Sequence, residues 1–172
     1  MATILDFKDT KPVIHPSVYL ADDVFVIGDV EIGEDANVWF GSVIRGDVSY
    51  IRIGARTNLQ DMTMIHVSQN FGPTIIGEEV TVGHRVTLHG CRVERQCLIG
   101  MGATVMDEAH IGEQAIIGAG SLVSPKTVIP PRVLALGVPA RVKRDLTDDE
   151  IAYLDKSWKN YVELKNIYSA AR

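Results

Sequence analysis

Large aliphatic side chains recur every six residues along most of the chain. Steps of six from Ile14 to Ile129, with three interruptions, give nineteen positions that are all Ile, Leu or Val. The residue four places after each one is small or β-branched, except at Gln69 and Arg92. A six-residue period is too short for a strand and a crossover helix, so it predicts three short parallel strands per turn. Nineteen such hexads predict an all-β coil of about six turns.

A different pattern begins after the last hexad. The segment from Thr147 to Glu150 has the form of a helix capping box. Apolar residues then recur at steps of three and four, at Ile151, Leu154, Trp158, Tyr161 and Leu164. This spacing predicts an amphipathic helix that runs to about residue 168. We therefore expect a β-helix over residues 1–140 and a C-terminal helix within 141–172, packed on the β-helix in one structural domain.

Composition and charge narrow the class of protein. The chain has 172 residues, 46% of them hydrophobic, which is enough for one domain with a real core. A net charge of −5 argues against nucleic acid as a partner. No apolar stretch approaches the roughly 20 residues that cross a bilayer, and no signal peptide is predicted. With only two cysteines, the expected location is the reducing cytoplasm.

The three interruptions of the repeat lie close together. Three residues are added between Ile44 and Ile53, five are added between Ile65 and Ile76, and one is missing between Leu88 and Val93. Three of the five histidines, His66, His84 and His89, fall in the same part of the chain. Breaks in a strict repeat are where function can be inserted, so these histidines are candidates for a metal site.

The repeat also predicts where each histidine lies. His66 and His89 each follow a hexad position of the third face in adjacent coils, so they should stack in one column. The inserted residues place His84 on the second face, around a corner from that pair. It would join them most easily in a second copy of the chain. Three imidazoles with one open position form a catalytic zinc arrangement.

These residues, with others around them, resemble the gamma class of carbonic anhydrases and their bacterial homologues. The matching segments are Arg45-Gly46-Asp47, Asn58-Leu59-Gln60-Asp61 leading to His66, and Gly83-His84 leading to Leu88-His89-Gly90-Cys91. The likeness extends over nearly the whole chain. It implies a left-handed parallel β-helix and a homotrimer with zinc sites between subunits. His66 and His89 would come from one subunit and His84 from its neighbour.

The resemblance also implies a reaction and roles for further residues. The reaction is the reversible hydration of carbon dioxide to bicarbonate by a zinc-bound hydroxide, with ferrous iron or cobalt as alternative metals. Gln60 and Asn58 would be the catalytic polar groups beside the metal. Arg45 and Asp47 would form an interface salt bridge, and Asp61 would support His84 or join the Arg45 network. The alternative for these three charged residues is trimer assembly alone.

The chain departs from the family pattern where protons are transferred. Val48 stands where the best-known members carry a glutamate, and the loop over residues 67–72 holds no carboxylate. We therefore expect low turnover. Two other functions remain open, a coenzyme A-linked acyltransferase or thioesterase on the same scaffold, and a non-catalytic trimer stabilised by metal.

Overall fold

Parallel strands wind into a three-sided β-helix that one α-helix closes. The computed structural model describes residues 1–171. Its strands are β1 (Thr3–Leu5), β2 (Val13–Ile14), β3 (Tyr19–Leu20), β4 (Phe25–Ile32), β5 (Asn37–Val38), β6 (Val43–Ile53), β7 (Asn58–Leu59), β8 (Met64–His66), β9 (Thr74–Ile76), β10 (Thr81–Val82), β11 (Thr87–His89), β12 (Arg92–Val93), β13 (Leu98–Ile99), β14 (Thr104–Val105), β15 (His110–Ile111), β16 (Ile116–Ile117), β17 (Leu122–Val123), β18 (Val128–Ile129), β19 (Val133–Gly137) and β20 (Ala140–Asp145), and the helix is α1 (Asp148–Ala170). The predicted all-β coil with a terminal helix is confirmed.

Each face of the β-helix is a ladder of seven parallel strands. The first face contains β2, the end of β4, the end of β6, β9, β12, β15 and β18. The second contains β3, β5, β7, β10, β13, β16 and β19, and the third contains β1, the start of β4, the start of β6, β8, β11, β14 and β17. The coil therefore has about seven turns, where the hexad count predicts about six.

Two strands outside the hexad count account for the extra turn. Ile4 pairs with Val26 at the start of the third face, but it lies ten residues before Ile14 and so breaks the six-residue step. Ala135 pairs with Ile117 at the far end, but it is too small to be counted among the large aliphatic residues. Neighbouring backbone hydrogen bonds, and not side-chain size, decide where the coil begins and ends.

The interior of the coil is filled by the predicted aliphatic positions. Ile44, Ile65 and Leu88 stack in adjacent turns of the third face and are all fully buried. The corners are as crowded as the interior, because the backbone of the next turn lies against them. A Cβ added to Gly54 would meet the backbone nitrogen of Glu78 at 2.5 Å. Tight contact between turns therefore excludes side chains at such corners.

Helix α1 lies over the second face. Thr147 caps it through a bond from the Glu150 backbone nitrogen, and the Glu150 carboxylate accepts from the Thr147 backbone nitrogen, which confirms the capping box. Leu154 is buried against the coil, and Lys165 forms a 2.9 Å ion pair with Asp35. Among residues 1–171, no helix is both long enough and apolar enough to span a membrane.

The segment predicted to contain the helix, residues 141–172, begins with a strand. Residues 140–145 form strand β20, which pairs antiparallel with β19 before the chain enters α1. Gly137, which has a φ of +112°, comes directly before the turn at residues 138–139, so residues 140–145 find their backbone partners on β19 and not within a helix. Arg172, the last residue of the predicted segment, lies outside the described residues.

Replacing a corner glycine should cost more than replacing an open one. In Gly54→Ala the new methyl meets backbone atoms of the next turn, and we expect a loss of about 3 kcal/mol in the free energy of unfolding. Gly120→Ala is the control, because its φ is +66° but no atom lies within 4 Å of the added Cβ. Its cost should be about 1 kcal/mol. Urea unfolding measures both values, and equal losses would contradict the steric explanation.

Candidate metal centre

Two histidines face each other at the ends of neighbouring strands. Strand β8 pairs with β11 so that His66 lies opposite His89, in the single column that the repeat predicts. Nδ1 of His66 lies 3.1 Å from Nε2 of His89. The extra residues after β8 and the missing residue after β11 end both strands at this level, so both rings stand at the corner between the third and first faces.

The outer nitrogens of both rings are bound to carboxylates. Nε2 of His66 lies 3.0 Å from the Asp47 carboxylate, and Nδ1 of His89 lies 2.8 Å from the Asp107 carboxylate. An ionised carboxylate only accepts hydrogen bonds, so each neutral ring keeps its N–H on this outer nitrogen. With one proton on each ring, the inner nitrogens present lone pairs to each other.

Two lone pairs at this distance suit a shared cation. Nitrogens bound tetrahedrally to one zinc ion at about 2.05 Å lie about 3.3 Å apart. The 3.1 Å between His66 and His89 is close to that spacing. Without a cation or an extra proton, the two facing lone pairs would repel each other. The residues present therefore fit two of the protein ligands of a zinc ion.

The third predicted ligand lies elsewhere on the same chain. His84 follows β10 on the second face, and its Nδ1 is 2.7 Å from the Asp61 carboxylate in the turn below. Between His84 and His89 the chain turns a corner at Arg85, which has a φ of +57°, and then runs along β11. Residues 1–171 of one chain bring together no group of three or more His, Cys, Asp or Glu side chains suited to a metal ion.

Asp47 is shared between a histidine and an arginine. Arg45 donates a hydrogen bond to the second oxygen of the carboxylate that contacts His66. Burial disfavours the charged form of Asp47, but the bonds from His66 and Arg45 outweigh it and lower the pKa of Asp47. The carboxylate thus stays ionised and able to hold the N–H of His66. Val48, 46% exposed, adds no titratable group beside it.

Gln60 and Asn58 lie on the second face with His84. The buried Asn58 accepts a bond from Nε2 of Gln60 at 3.2 Å and donates to the Thr81 hydroxyl at 3.0 Å. The Thr81 hydroxyl in turn lies 3.0 Å from that of Ser157 on α1. Gln60 and His84 both line a cavity of about 520 Å³ between this face and the helix. The structure therefore groups these amides with His84 and separates them from His66 and His89.

Two residues that support the histidine pair were missed by the sequence prediction. Asp107 lies 18 residues after His89, which is one full turn, so the period itself was a signal for it. The Thr74 hydroxyl donates to the His66 carbonyl oxygen and accepts from the Gly90 backbone nitrogen, and it ties the two strand ends together. Thr74 opens strand β9, two residues before Ile76, where the repeat predicts only a small or β-branched residue and not a bond to the two strand ends.

Comparisons with known proteins identify the family of this chain. Residues 90–125 match the family model described as bacterial transferase hexapeptide, six repeats. The chain is 49% identical to a carbonic anhydrase of Geobacillus kaustophilus over 97% of this chain and 91% of that protein. It is 43% identical to the mitochondrial gamma carbonic anhydrase 2 of Arabidopsis thaliana over 98% of this chain. The chain belongs to the gamma carbonic anhydrase-like family of hexapeptide-repeat proteins.

Members and structural neighbours of this family carry different functional names. The chain spans 62% of the length of the Arabidopsis protein. A crystal structure of a Bacillus cereus protein, named as a putative acetyltransferase, superposes with a TM-score of 0.96. That protein is 45% identical and the match covers 99% of both chains. The fold is therefore shared by proteins named as carbonic anhydrases and by one named as an acetyltransferase. The fold alone does not identify the activity, so the site residues have to distinguish between the two activities.

The cysteines near the site should be chemically inert. Burial raises the pKa of both the Cys91 and the Cys97 thiol to about 12, and both side chains are almost fully covered. We expect an alkylating reagent at pH 8 to leave both unmodified in the folded protein and to modify both in urea, as measured by mass spectrometry. Val128→Cys, at a position that is 69% exposed, is the control that should react. Rapid native labelling of Cys91 would contradict its packed role.

Proposed function

We propose that this protein is a metal-dependent carbonic anhydrase-like enzyme, a lyase that catalyses the reversible hydration of carbon dioxide to bicarbonate. The observation that carries the proposal is the pair of inner nitrogens of His66 and His89, 3.1 Å apart and each opposite a carboxylate-bound nitrogen. The names of the relatives from Geobacillus and Arabidopsis support the same activity. Zinc is the proposed metal, with ferrous iron or cobalt as alternatives.

The proposed site lies between the subunits of a homotrimer. Two imidazoles fall short of the three protein ligands of a catalytic zinc site. His84 lies around a corner from the pair, so we assign the third position to His84 of a neighbouring copy. Met62 and Met64, between the two corners, are 66% and 40% exposed. An apolar surface at this place supports contact with another copy, and three equal contacts close a ring.

Each polar residue has a role in this site. The chemistry that bound zinc supplies is a hydroxide nucleophile near neutral pH. Gln60 has one N–H committed to Asn58, while its side-chain carbonyl has no partner among residues 1–171, so it is free to orient a small polar ligand. Asn58 holds that amide in place through its own bond to Thr81. Asp61 holds His84 by its Nδ1 and leaves Nε2 as the ligand atom.

The charged side chains near the site bear on subunit assembly and on proton transfer. Arg45 is 41% exposed on its side chain and binds Asp47 through one nitrogen, which leaves further N–H groups for an adjacent subunit. With Val48 beside this pair and no carboxylate on residues 67–72, the proton released by each hydration must leave to solvent or buffer. We therefore propose low turnover.

We also place the reaction in the cytoplasm, where free buried thiols persist.

One observation favours a second candidate function. The His84–Asp61 pair, 2.7 Å apart, borders a largely apolar cavity of about 520 Å³, far larger than carbon dioxide requires. A histidine held by a carboxylate is a general base, and an apolar cavity suits an acyl chain. Acyl transfer or thioester hydrolysis with a coenzyme A ester is therefore the alternative activity. The acetyltransferase name of the similar Bacillus cereus protein points the same way.

The first test measures metal content and carbon dioxide hydration on one preparation. The wild type should bind about one zinc per chain and hydrate carbon dioxide in stopped flow, as expected for one site per interface. His66→Ala, His84→Ala and His89→Ala should each lose both, while His15→Ala, an exposed histidine away from the site, should lose neither. Hydration that survives a chelator, or coenzyme A ester turnover without metal, would move the assignment to the alternative activity. Full metal content without hydration would indicate a non-catalytic, metal-stabilised trimer.

Mixed trimers test the position of the site. His66→Ala and His84→Ala chains are each defective alone, but an interface that takes His66 and His89 from one and His84 from the other is intact. Random assembly of equal amounts should restore about one quarter of the sites. Restored metal content and hydration near that fraction would support a site between subunits. No recovery in proven mixed trimers would contradict it.

A further inference from the structure

Asp107 is committed to one histidine. Its carboxylate lies 2.8 Å from Nδ1 of His89, and among residues 1–171 no other side chain forms a hydrogen bond or ion pair with it. Asp47, by contrast, divides its oxygens between His66 and Arg45. The side chain of Asp107 is only 15% exposed. A nearly buried carboxylate with a single partner is suited to holding that partner in one state.

The backbone holds Asp107 firmly in place. The amide of Glu108 donates to the Gly90 carbonyl oxygen at 2.7 Å, and the amide of Lys126 donates to the Asp107 carbonyl oxygen at 2.9 Å. These bonds join Asp107 to the turn below and to the turn above. The carboxylate is therefore presented by the rigid coil and not by a mobile loop.

Gly90 makes the room that the carboxylate occupies. A Cβ at Gly90 would lie 2.6 Å from Oδ1 of Asp107, the oxygen that binds His89. Its φ of +56° is a further reason for glycine at this position. Its amide is held by the Thr74 hydroxyl at 2.9 Å. The absence of a side chain at Gly90 thus leaves the space through which Asp107 reaches the His89 ring.

We propose that Asp107 is a positioning residue that fixes His89 with its N–H on Nδ1 and its lone pair on Nε2 toward His66, and that Gly90 provides the space for it. The hydrogen bond fixes both the tautomer and the rotation of the ring. It therefore prepares half of the metal site before any metal arrives. This inference rests on the proposed function for its biological meaning, but the contact between Asp107 and His89 does not require metal.

Two kinds of variant test the proposal. Asp107→Asn keeps the shape but removes the charge that holds the N–H, and Gly90→Ala keeps the carboxylate but displaces it. Glu108→Gln is the matched control, because the carboxylate of this neighbouring residue pairs with Lys126 at 3.6 Å and with no other side chain among residues 1–171. Zinc affinity, measured by competition with a chelating dye, should fall about 10- to 100-fold in the first two variants and stay unchanged in the control. Thermal unfolding of the metal-free forms monitors the fold.

A second measurement does not depend on metal or activity. Nitrogen-15 NMR of histidine-labelled, metal-free protein reports which ring nitrogen carries the proton. In the wild type His89 should be protonated on Nδ1, and Asp107→Asn should shift it toward the other tautomer or a mixture. If Gly90→Ala does not fold, Asp107→Asn alone decides the proposal.

The outcomes separate this proposal from the proposed function. Wild-type metal binding and hydration, with Asp107→Asn unchanged in zinc affinity and in ring protonation, would overturn the positioning role and leave the enzyme proposal intact. A wild type that binds no zinc would overturn the enzyme proposal. The ring signals would still decide the role of Asp107, because a tautomer that depends on Asp107 supports it and an independent one overturns it.

Discussion

The backbone ladder between successive turns is the interaction on which the rest of the structure depends. Each strand within the coil hydrogen-bonds to the strand above and the strand below, so its residues are fixed over partners in the next turn. Side chains then have little freedom in where they stand. The ladder explains why the stacked inward positions are aliphatic and why corners such as Gly54 exclude side chains.

Such a ladder also converts small changes in chain length into a site. Strands β8 and β11 each run one residue further than β14 and β17 on the same face, and they end at His66 and His89. Five residues are added after His66 and one is missing after His89, and the Thr74 hydroxyl joins the two strand ends. The strict repeat elsewhere keeps both rings in register. Because the rest of the coil is regular, the local changes in turn length leave His66 and His89 aligned.

Each candidate ligand is paired with its own carboxylate. His66 has Asp47, His84 has Asp61 and His89 has Asp107. In each case the bond occupies one ring nitrogen and leaves the other with a lone pair. The three pairs stand at two separate corners of one chain, with an apolar surface between them. A protein with this distribution of ligands is incomplete alone, which is the physical reason for proposing an assembly.

The sequence by itself determined the period, the three breaks and the stacking of His66 over His89, because backbone spacing follows directly from residue count. It also determined the capping box at Thr147 and the position of His84 around a corner. Only the tertiary structure decided the turns at both ends, where Ile4 and Ala135 join the ladder without fitting the pattern. It alone revealed Asp107, Gly90 and Thr74 as a unit, because hydrogen-bond partners depend on ring orientation and on the space left by a missing Cβ. Spacing along the chain places Asp107 one turn after His89, but it carries no information about ring orientation or about that space.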